Sequence, residues 1–365
     1  MGEWTVETRM LSALRRQPPD RVPVVLYLNP YGDAWETKEP TYAPVLDACR
    51  EYADVIHLWY FPGGFLHTAT PLDVTQHERP GGITEHVLQT PAGPLTLLTR
   101  PDWRGGGTVK RWLTTPADVE RALSLPYVPA RPDLAPFHRT RAAAAGRWIM
   151  HAVFPDPVCI ADMIDETQLA LWTLEERPLL RRLLDTCQAR ILDQLRYCLE
   201  GGVGPVYYFN GPEYALPPLM APRDFDEFVV GYDRALIELV HRYPGNYVVV
   251  HSHGRVGRFL ERFAGLGLDG LNVLEPPPIG DCVLADAKRR IGDRVCLIGN
   301  IQYDDLARGT PAQIERLVAD AIAAGAPGGG FILSPCASPY ERPLPARAAA
   351  NLVHYLKCAH RFGRY

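Results

Sequence analysis

The stretch YVVVHSH at residues 247–253 is an apolar run that ends in two histidines. Side chains alternate along a strand, so a solvated face would place a polar residue at every second position. Residues 248–250 are all valine, which is typical of a parallel strand that is covered on both faces. His251 and His253 then point to the same side at the carboxyl end of the strand, just before Gly254.

Seven further apolar runs of this kind are bounded by turn residues, at 22–28, 54–61, 147–154, 204–210, 270–275, 294–300 and 329–335. Segments with helical spacing lie between most of them, at 179–202, 222–243, 256–267, 281–292 and 310–329. Eight strands connected by crossover helices predict an α/β protein with a (β/α)8 TIM barrel fold.

One segment does not follow this strand–helix alternation. It contains GITEHVLQTPAGPLTLLTR (82–100), which predicts a β-hairpin that turns at residues 91–93. We interpret residues 62–146 as an insertion after the second strand. The whole chain, 1–365, is then expected to be a single barrel domain.

Composition narrows the class of protein. The chain has 365 residues, 47% hydrophobic and 22% charged, with a net charge of −4, which does not favour nucleic-acid binding. No apolar run is long enough for a membrane span, and the first residues lack the apolar core of a signal peptide. The eight cysteines have no CxxC spacing and indicate reduced thiols. We expect a cytoplasmic protein with a small-molecule substrate and without a nucleic-acid or membrane partner, and a homodimer is an open alternative.

The carboxyl ends of barrel strands are where such folds carry their chemistry. Strand ends supply His251, His253, Glu275 and Cys336, a set of nitrogen, oxygen and sulfur donors that suits Zn²⁺. The structural alternatives are two hydrogen-bonded histidines, an inert buried thiol and a turn acid in front of three prolines. Without the thiol, the two histidines and Glu275 would also suit non-haem Fe²⁺, which we consider less favoured.

Other polar and aromatic side chains also lie near strand ends. Candidates for proton transfer are Glu213, His57 and Asp54, although the last two could serve only the packing of the second strand. Candidates for substrate binding are Asn29, Tyr31, Tyr208, Asn210, Asn300 and Tyr340. Interior packing is the alternative for the tyrosines.

The motifs HSHG, LNVLEPPPIGD, RVCLIGNI and GGFILSPC resemble the carboxyl half of the uroporphyrinogen decarboxylase superfamily, over about residues 200–362. That group includes zinc-dependent, corrinoid-linked methyltransferases and is similar to the barrel of cobalamin-independent methionine synthase. The resemblance implies a zinc site formed by His251, His253, Glu275 and Cys336. It also implies a corrinoid carried by a partner protein.

Two departures from the family pattern change the expected chemistry. Porphyrin decarboxylases carry an arginine-rich segment after the first strand, whereas this chain has LYLNPYGDAW there, without arginine, so porphyrin decarboxylation is not expected. The methyltransferase motif reads His-x-Cys-Gly, and His253 stands at its cysteine. Replacing a thiolate by a neutral imidazole removes one negative ligand, which favours Lewis-acid activation over a strongly nucleophilic thiolate.

These observations leave several functions open. The first is a zinc-dependent methyltransferase or demethylase in which the metal activates a thiol or another heteroatom of a small molecule. The second is a zinc-dependent lyase or decarboxylase acting on a small polar substrate. A non-haem Fe²⁺ enzyme and a non-catalytic metal-binding protein are further alternatives.

Overall fold

Eleven strands are present in the part of the chain that the computed structural model describes, residues 4–101 and 107–365. They are β1 Val55–Tyr60, β2 Asp73–Arg79, β3 Ile83–Gln89, β4 Leu95–Arg100, β5 Gly107–Lys110, β6 Trp148–Pro155, β7 Val206–Asn210, β8 Tyr247–Ser252, β9 Gly270–Val273, β10 Cys296–Ile301 and β11 Phe331–Pro335. Seven of them form one curled parallel sheet in the order β1-β6-β7-β8-β9-β10-β11. The predicted α/β class with a parallel sheet is therefore confirmed.

Helices fill the connections between the parallel strands. They are α1 Val6–Leu14, α2 Ala43–Tyr52, α3 Pro116–Leu123, α4 Ala135–Ala142, α5 Glu166–Trp172, α6 Arg177–Glu200, α7 Pro222–Phe225, α8 Gly231–His241, α9 Leu260–Gly265, α10 Leu284–Ile291, α11 Tyr303–Arg308, α12 Pro311–Gly325 and α13 Ala346–Phe362. Short 3₁₀ turns lie at Trp35–Lys38, Pro40–Tyr42, Phe65–His67, Pro157–Met163, Pro212–Ala215 and Val256–Arg258, and a π turn at Asp226–Val230 joins α7 to α8.

The parallel strands bury both faces, as their continuous apolar sequences require. In β8, Val249 belongs to an inner apolar cluster that also contains Val206, Ile149 and the residues Met10 and Leu14 of α1. Its neighbours in β8 pack outward in the core shared with the helices. Helix α1 thus covers the amino end of the curled sheet, and the carboxyl end is left for polar side chains.

The first predicted strand, residues 22–28, is not a regular strand. Pro23 has no N–H, the N–H of Val24 is taken by the carboxylate of Asp54, and Tyr27 has φ of 57°, which ends extended pairing. The segment still bridges the two edges of the sheet. Val25 donates to Leu333 O of β11, and Asp54 N donates to Val24 O at the start of β1. Of the eight strands expected for the barrel, the first in the chain is therefore replaced by an irregular segment.

A second sheet, antiparallel and in the order β2-β3-β4-β5, lies between β1 and β6 in the chain. Strands β3 and β4 pair on either side of residues 90–94. Only a few side chains of this sheet, such as Leu88 and Leu95, join the main core, so most of it faces solvent. None of the helices among residues 4–101 and 107–365 combines the length and apolar composition that a membrane crossing needs.

Candidate functional site

The inner face of the sheet changes from apolar to polar toward the carboxyl ends of its strands. Strand β7 supplies Tyr208, β8 supplies His251 and β9 supplies Asn272, each two residues beyond an inward-facing apolar or glycine position. His251 and Asn272 are directly opposite each other in the β8–β9 register. Three neighbouring strands therefore deliver their polar side chains to one place.

These three side chains form a closed hydrogen-bonded triangle. The hydroxyl of Tyr208 lies 2.6 Å from Nδ1 of His251 and 2.7 Å from Oδ1 of Asn272, and the latter two atoms are 2.7 Å apart. Asn272 is fully buried, and its Nδ2 donates to Ile298 O and to the hydroxyl of Tyr27. Since both amide hydrogens point to acceptors, Oδ1 of Asn272 can only accept.

The triangle selects the tautomer of His251. If Nδ1 carried a lone pair, it would face the lone pairs of Asn272 Oδ1 at 2.7 Å. A proton on Nδ1 removes this repulsion and leaves Nε2 of the neutral ring with a free lone pair. Burial, followed by the nearby ring of His253, lowers the pKa of His251 to about 4, so the ring is neutral near pH 7. His251 thus presents a nitrogen that can bind a metal ion.

His253 and Glu275 form the second pair of the site. Nδ1 of His253 lies 3.0 Å from Oε1 of Glu275, and Gly254 N donates to Oε2 at 2.7 Å. Burial raises the pKa of Glu275, but the hydrogen bonds from His253 and Gly254 outweigh it, and the net shift is downward. The ring centroids of His251 and His253 are 4.7 Å apart. The open carboxyl end of the curled sheet is called the mouth below. His251, His253 and Glu275 therefore lie together at the mouth, beside the ends of β8 and β9, and this group is called the metal corner.

Cys336 follows β11 on the same inner face as Ser334. Its side chain is buried, with Sγ 3.8 Å from Val273 O, and burial raises the pKa of the thiol above its ordinary range. No three of the donor atoms of His251, His253, Glu275 and Cys336 lie within 4.8 Å of one another; among the described residues such a group is formed by Glu315, His354 and Cys358, on α12 and α13 outside the sheet.

The donor set nevertheless suits a zinc ion. Two ligands of a tetrahedral zinc with bonds of 2.0–2.1 Å lie about 3.3 Å apart, and His253 and Glu275 are already close to that separation. His251 has its other ring nitrogen anchored by Asn272, as metal-binding histidines usually have. A site with nitrogen, oxygen and sulfur donors would require the side chains of His251 and Cys336 to turn toward this pair.

The predicted residue Glu213 lies with two other buried acids, Asp156 and Asp233, which the sequence analysis did not identify. It lies in the turn after β7, and Asp156 follows β6, while Asp233 projects from α8. Oxygen atoms of all three are buried and have no hydrogen-bond partner within residues 4–101 and 107–365. Burial raises the pKa of Glu213, and burial together with the other two carboxylates raises that of Asp156. Burial therefore opposes the ionisation of these acids.

His57 lies on the outer face of β1, not toward the mouth. Asn29 accepts from Tyr31 N through Oδ1 at 3.0 Å and donates through Nδ2 to Nδ1 of His57 at 2.8 Å. The ring of Tyr31 packs against Trp148, with centroids 5.3 Å apart. His57 and Asn29 also border a cavity of about 380 Å³ between β1 and the segment that follows residue 27. The structure therefore joins three predicted residues into one hydrogen-bonded group beside a cavity.

Asp54 is not part of the candidate site, and its predicted catalytic role is wrong. It precedes the first residue of β1 and so lies at the amino end of the sheet. It is fully buried and binds Arg9 and Arg21, each at 2.7 Å. Its negative charge stabilises the contact between α1, which carries Arg9, the segment around Arg21 and the start of β1.

The remaining predicted residues are divided between the mouth and its rim. Asn210 and Asn300 are the inward-facing residues near the ends of β7 and β10. The backbone carbonyl of Asn210 accepts from Asp156 N and from the thiol of Cys159. Tyr340 is about half exposed, with its ring 5.3 Å from that of Tyr303. Sequence reasoning missed Asn272 and Asp156; both stand at strand ends, which is the signal that could have found them.

Comparison with known proteins identifies the family. The sequence profile described as Uroporphyrinogen decarboxylase (URO-D) matches residues 157–354, more than half of the chain. A methylcobamide:CoM methyltransferase, MtaA, from Methanosarcina barkeri is 26% identical over 354 residues, covering 92% of this chain and 93% of the relative. A uroporphyrinogen decarboxylase from Yersinia pseudotuberculosis serotype O:1b is 26% identical over 373 residues, covering 95% and 96%.

A solved structure agrees in fold. The structure described as a methyltransferase from Methanosarcina mazei superposes with a TM-score of 0.63 at 19% identity and covers 99% of each chain. At that identity the likeness concerns the fold alone. The profile match, supported by relatives that span nearly the whole chain, shows that the chain belongs to the uroporphyrinogen decarboxylase family.

Proposed function

We propose that the chain is a zinc-dependent methyltransferase or demethylase that acts on a small molecule, with the metal activating a thiol or another heteroatom. The observation that carries the proposal is the pairing of His253 with Glu275 at 3.0 Å beside the anchored ring of His251, at the carboxyl ends of neighbouring strands. The similarity to a methylcobamide:CoM methyltransferase along 92% of the chain supports methyl transfer.

In this proposal His251, His253, Glu275 and Cys336 would hold the ion. A bound zinc lowers the pKa of a thiol or alcohol that joins it and so provides a nucleophile near neutral pH. The chain itself supplies the neutral Nε2 of His251, which the Asn272 contact keeps free of its proton. Gly254, with φ of 83°, has open space where a side chain would begin, so a substrate can approach the metal corner.

Proton transfer near this corner is assigned to Glu213. Burial raises its pKa, and the proximity of His253 partly opposes that shift. A carboxyl group whose pKa is raised becomes a better general acid near neutral pH and can donate a proton to a leaving group. Because the name of the methyltransferase relative specifies a methylated cobamide, we also propose a corrinoid-carrying partner protein as the methyl donor or acceptor.

A lyase or decarboxylase is the second candidate. A uroporphyrinogen decarboxylase relative matches 95% of the chain, and Glu213, whose pKa burial raises, would suit the protonation of a carbanion. Uroporphyrinogen itself is not the expected substrate, because residues 27–36 lack arginine and the lining of the nearby cavity contains neither arginine nor lysine. Formation of coproporphyrinogen at an enzymatic rate would contradict this expectation.

The experiment that tests the proposal measures metal content and methyl transfer together. Untagged protein is analysed for zinc and iron, and is then incubated with methylcobalamin and 2-mercaptoethanol while S-methylation is followed by mass spectrometry. We expect about one zinc per chain, and His251→Ala and Cys336→Ala should each lower the affinity for zinc by orders of magnitude, as expected for the loss of one of four ligands.

Matched controls separate a ligand from a folding effect. His241→Ala removes a histidine from α8, and Cys49→Ala removes a buried thiol from α2; both should keep zinc and activity. Full zinc retention in His251→Ala and Cys336→Ala would overturn the metal assignment. Zinc binding without methyl transfer to any thiol would favour the lyase, and iron as the dominant metal would favour the Fe²⁺ alternative.

A further inference from the structure

The cavity between β1 and residues 27–36 has the size of a small-molecule site. Its volume is about 380 Å³, and its lining includes the inward-facing side chains Ile56, Leu58 and Tyr60 of β1. Tyr60 is 65% exposed although it faces the inside of the sheet, so the mouth is open on this side. The irregular course of residues 22–28 leaves this half of the β1 edge without a neighbouring strand and so creates the space.

The cavity is connected to the metal corner. Tyr27 lines it, and the hydroxyl of Tyr27 accepts from Nδ2 of Asn272 at 2.8 Å. Asn272 in turn contacts His251. A molecule in the cavity would therefore lie beside the hydrogen-bonded group that orients the predicted metal ligand.

The charges that line the cavity are negative. Asp33 and Glu36 are its ionisable acids, and no arginine or lysine lines it. His57 adds no positive charge, because burial lowers its pKa and Nδ1 accepts from Asn29. Lys38 pairs with Asp33 at 3.0 Å, but both side chains are exposed, so this pair contributes little.

Glu36 lacks a partner of its own. Its Oε2 atom is buried and has no hydrogen-bond partner in the described residues 4–101 and 107–365. The adjacent hydroxyl of Tyr42 has its pKa raised by burial and then by the carboxylates of Glu341, Glu36 and Glu39, so the local field is negative. A partly buried carboxylate with an unpartnered oxygen is stabilised by a nearby cation.

We propose that this cavity binds the substrate through a positively charged methylated ammonium group. Tyr27 and Tyr60 line the cavity together with Glu36; aromatic rings attract quaternary ammonium ions, and Glu36 offers the opposite charge. An anionic substrate would meet two carboxylates in a lining that contains no arginine or lysine. The description of the ligand as the methyl-bearing substrate rests on the proposed function, whereas its charge is inferred from the cavity alone.

The test compares two ligands of the same shape. Choline and 3,3-dimethylbutan-1-ol differ in the replacement of the charged nitrogen by carbon, and ethanesulfonate supplies an anion. Isothermal titration with the full chain should show binding of choline, binding of the neutral alcohol weaker by about tenfold or more, and no binding of ethanesulfonate. Equal affinity for choline and the alcohol, or preference for the anion, would overturn the proposal.

Variants locate the site. Glu36→Gln should weaken choline binding by about tenfold, and Asp33→Asn should weaken it less because Asp33 is exposed. Glu238→Gln, on the exposed side of α8, is the matched control and should bind as the wild type does. If Glu36→Gln binds choline unchanged while remaining folded by circular dichroism, the site lies elsewhere and the proposal fails.

The outcome is independent of the metal experiment. Choline binding by titration requires neither zinc nor turnover, so methyl transfer without choline binding rejects only the substrate class. Choline binding without methyl transfer rejects only the proposed reaction.

Discussion

At the scale of single residues, Asn272 is the side chain on which the candidate site depends. It connects Tyr27, Tyr208 and His251, and it is fully buried between β8 and β10. It does not contact the proposed ion itself. Its role is to orient His251 and to keep Nε2 of that ring available.

Asn272→Ala should therefore weaken zinc binding by about 10–100-fold, the usual cost of removing a partner that holds a metal-binding histidine. Asn272→Asp keeps an acceptor for Nδ1 and should retain most of the affinity. Competition with a zinc-binding dye measures the affinity, and ¹⁵N NMR of His251 reports whether the proton has left Nδ1.

Asn351→Ala is the matched control for this prediction. Asn351 is also a buried asparagine, but it donates to the carbonyls of Leu306 and Gly309 at the end of α11. It should lower stability and leave zinc affinity unchanged. If both alanine variants lower zinc affinity equally, the effect of Asn272 is a general loss of structure.

At the scale of elements, α8 presents a buried acid to the ends of β6 and β7. Asp233 lies just after the π turn, is 2% exposed, and neither of its side-chain oxygens has a partner in the described part of the chain. Burial raises its pKa to about 8. The folded chain thus keeps a proton that the unfolded chain releases at much lower pH.

This shift predicts how stability depends on pH. Between the ordinary pKa of 3.8 and about 8, the folded state binds more protons than the unfolded state, so the contribution of Asp233 to the free energy of unfolding falls as pH rises. Asp233→Asn removes this titration. We expect the variant to gain stability relative to the wild type from about pH 5 to about pH 8, as measured by urea unfolding.

An exposed aspartate supplies the comparison. Asp320→Asn, on α12, should change stability by a small and constant amount over the same range. A difference between Asp233→Asn and wild type that does not vary with pH would show that Asp233 is ionised in the folded chain.

At the scale of the whole molecule, Asp54 holds the two edges of the curled sheet together at its amino end. Its oxygens bind Arg9 of α1, Arg21 before the irregular segment, and the N–H of Val24 within it. Three parts of the chain converge on this carboxylate. The closing segment has few regular strand contacts, so this group replaces them.

Asp54→Asn should lower the free energy of unfolding by about 3–5 kcal/mol, because it removes the carboxylate bound by the largely buried Arg21 and leaves Arg9 with Asp20 as its remaining carboxylate. Urea unfolding measures the loss. Asp47→Asn, which removes an exposed pair with Arg50, should change stability by less than about 1 kcal/mol. A loss of similar size in both variants would contradict the role assigned to Asp54.

The local sequence was sufficient to predict the regular strands and helices. The seven apolar runs that form the parallel strands are long, continuous and bounded by turn residues, and the helices between them have clear apolar stripes. Their ends also indicated where His251, His253, Glu275 and Cys336 stand in the chain, since all four follow or end a strand. These properties depend on neighbouring residues, which is why they can be read without the fold.

Tertiary structure alone decided which side chains work together. Residues 22–28 have the composition of a strand, yet the carboxylate of Asp54 takes the N–H of Val24 that a ladder would need. His57 lies in β1 and Asp54 just before it, but His57 faces outward and Asp54 lies at the opposite end of the sheet from the candidate site. Asn272 acquires its role from residues 64 and 245 positions away in the chain, Tyr208 and Tyr27. Such contacts depend on register and on the direction of each side chain, which local sequence does not determine.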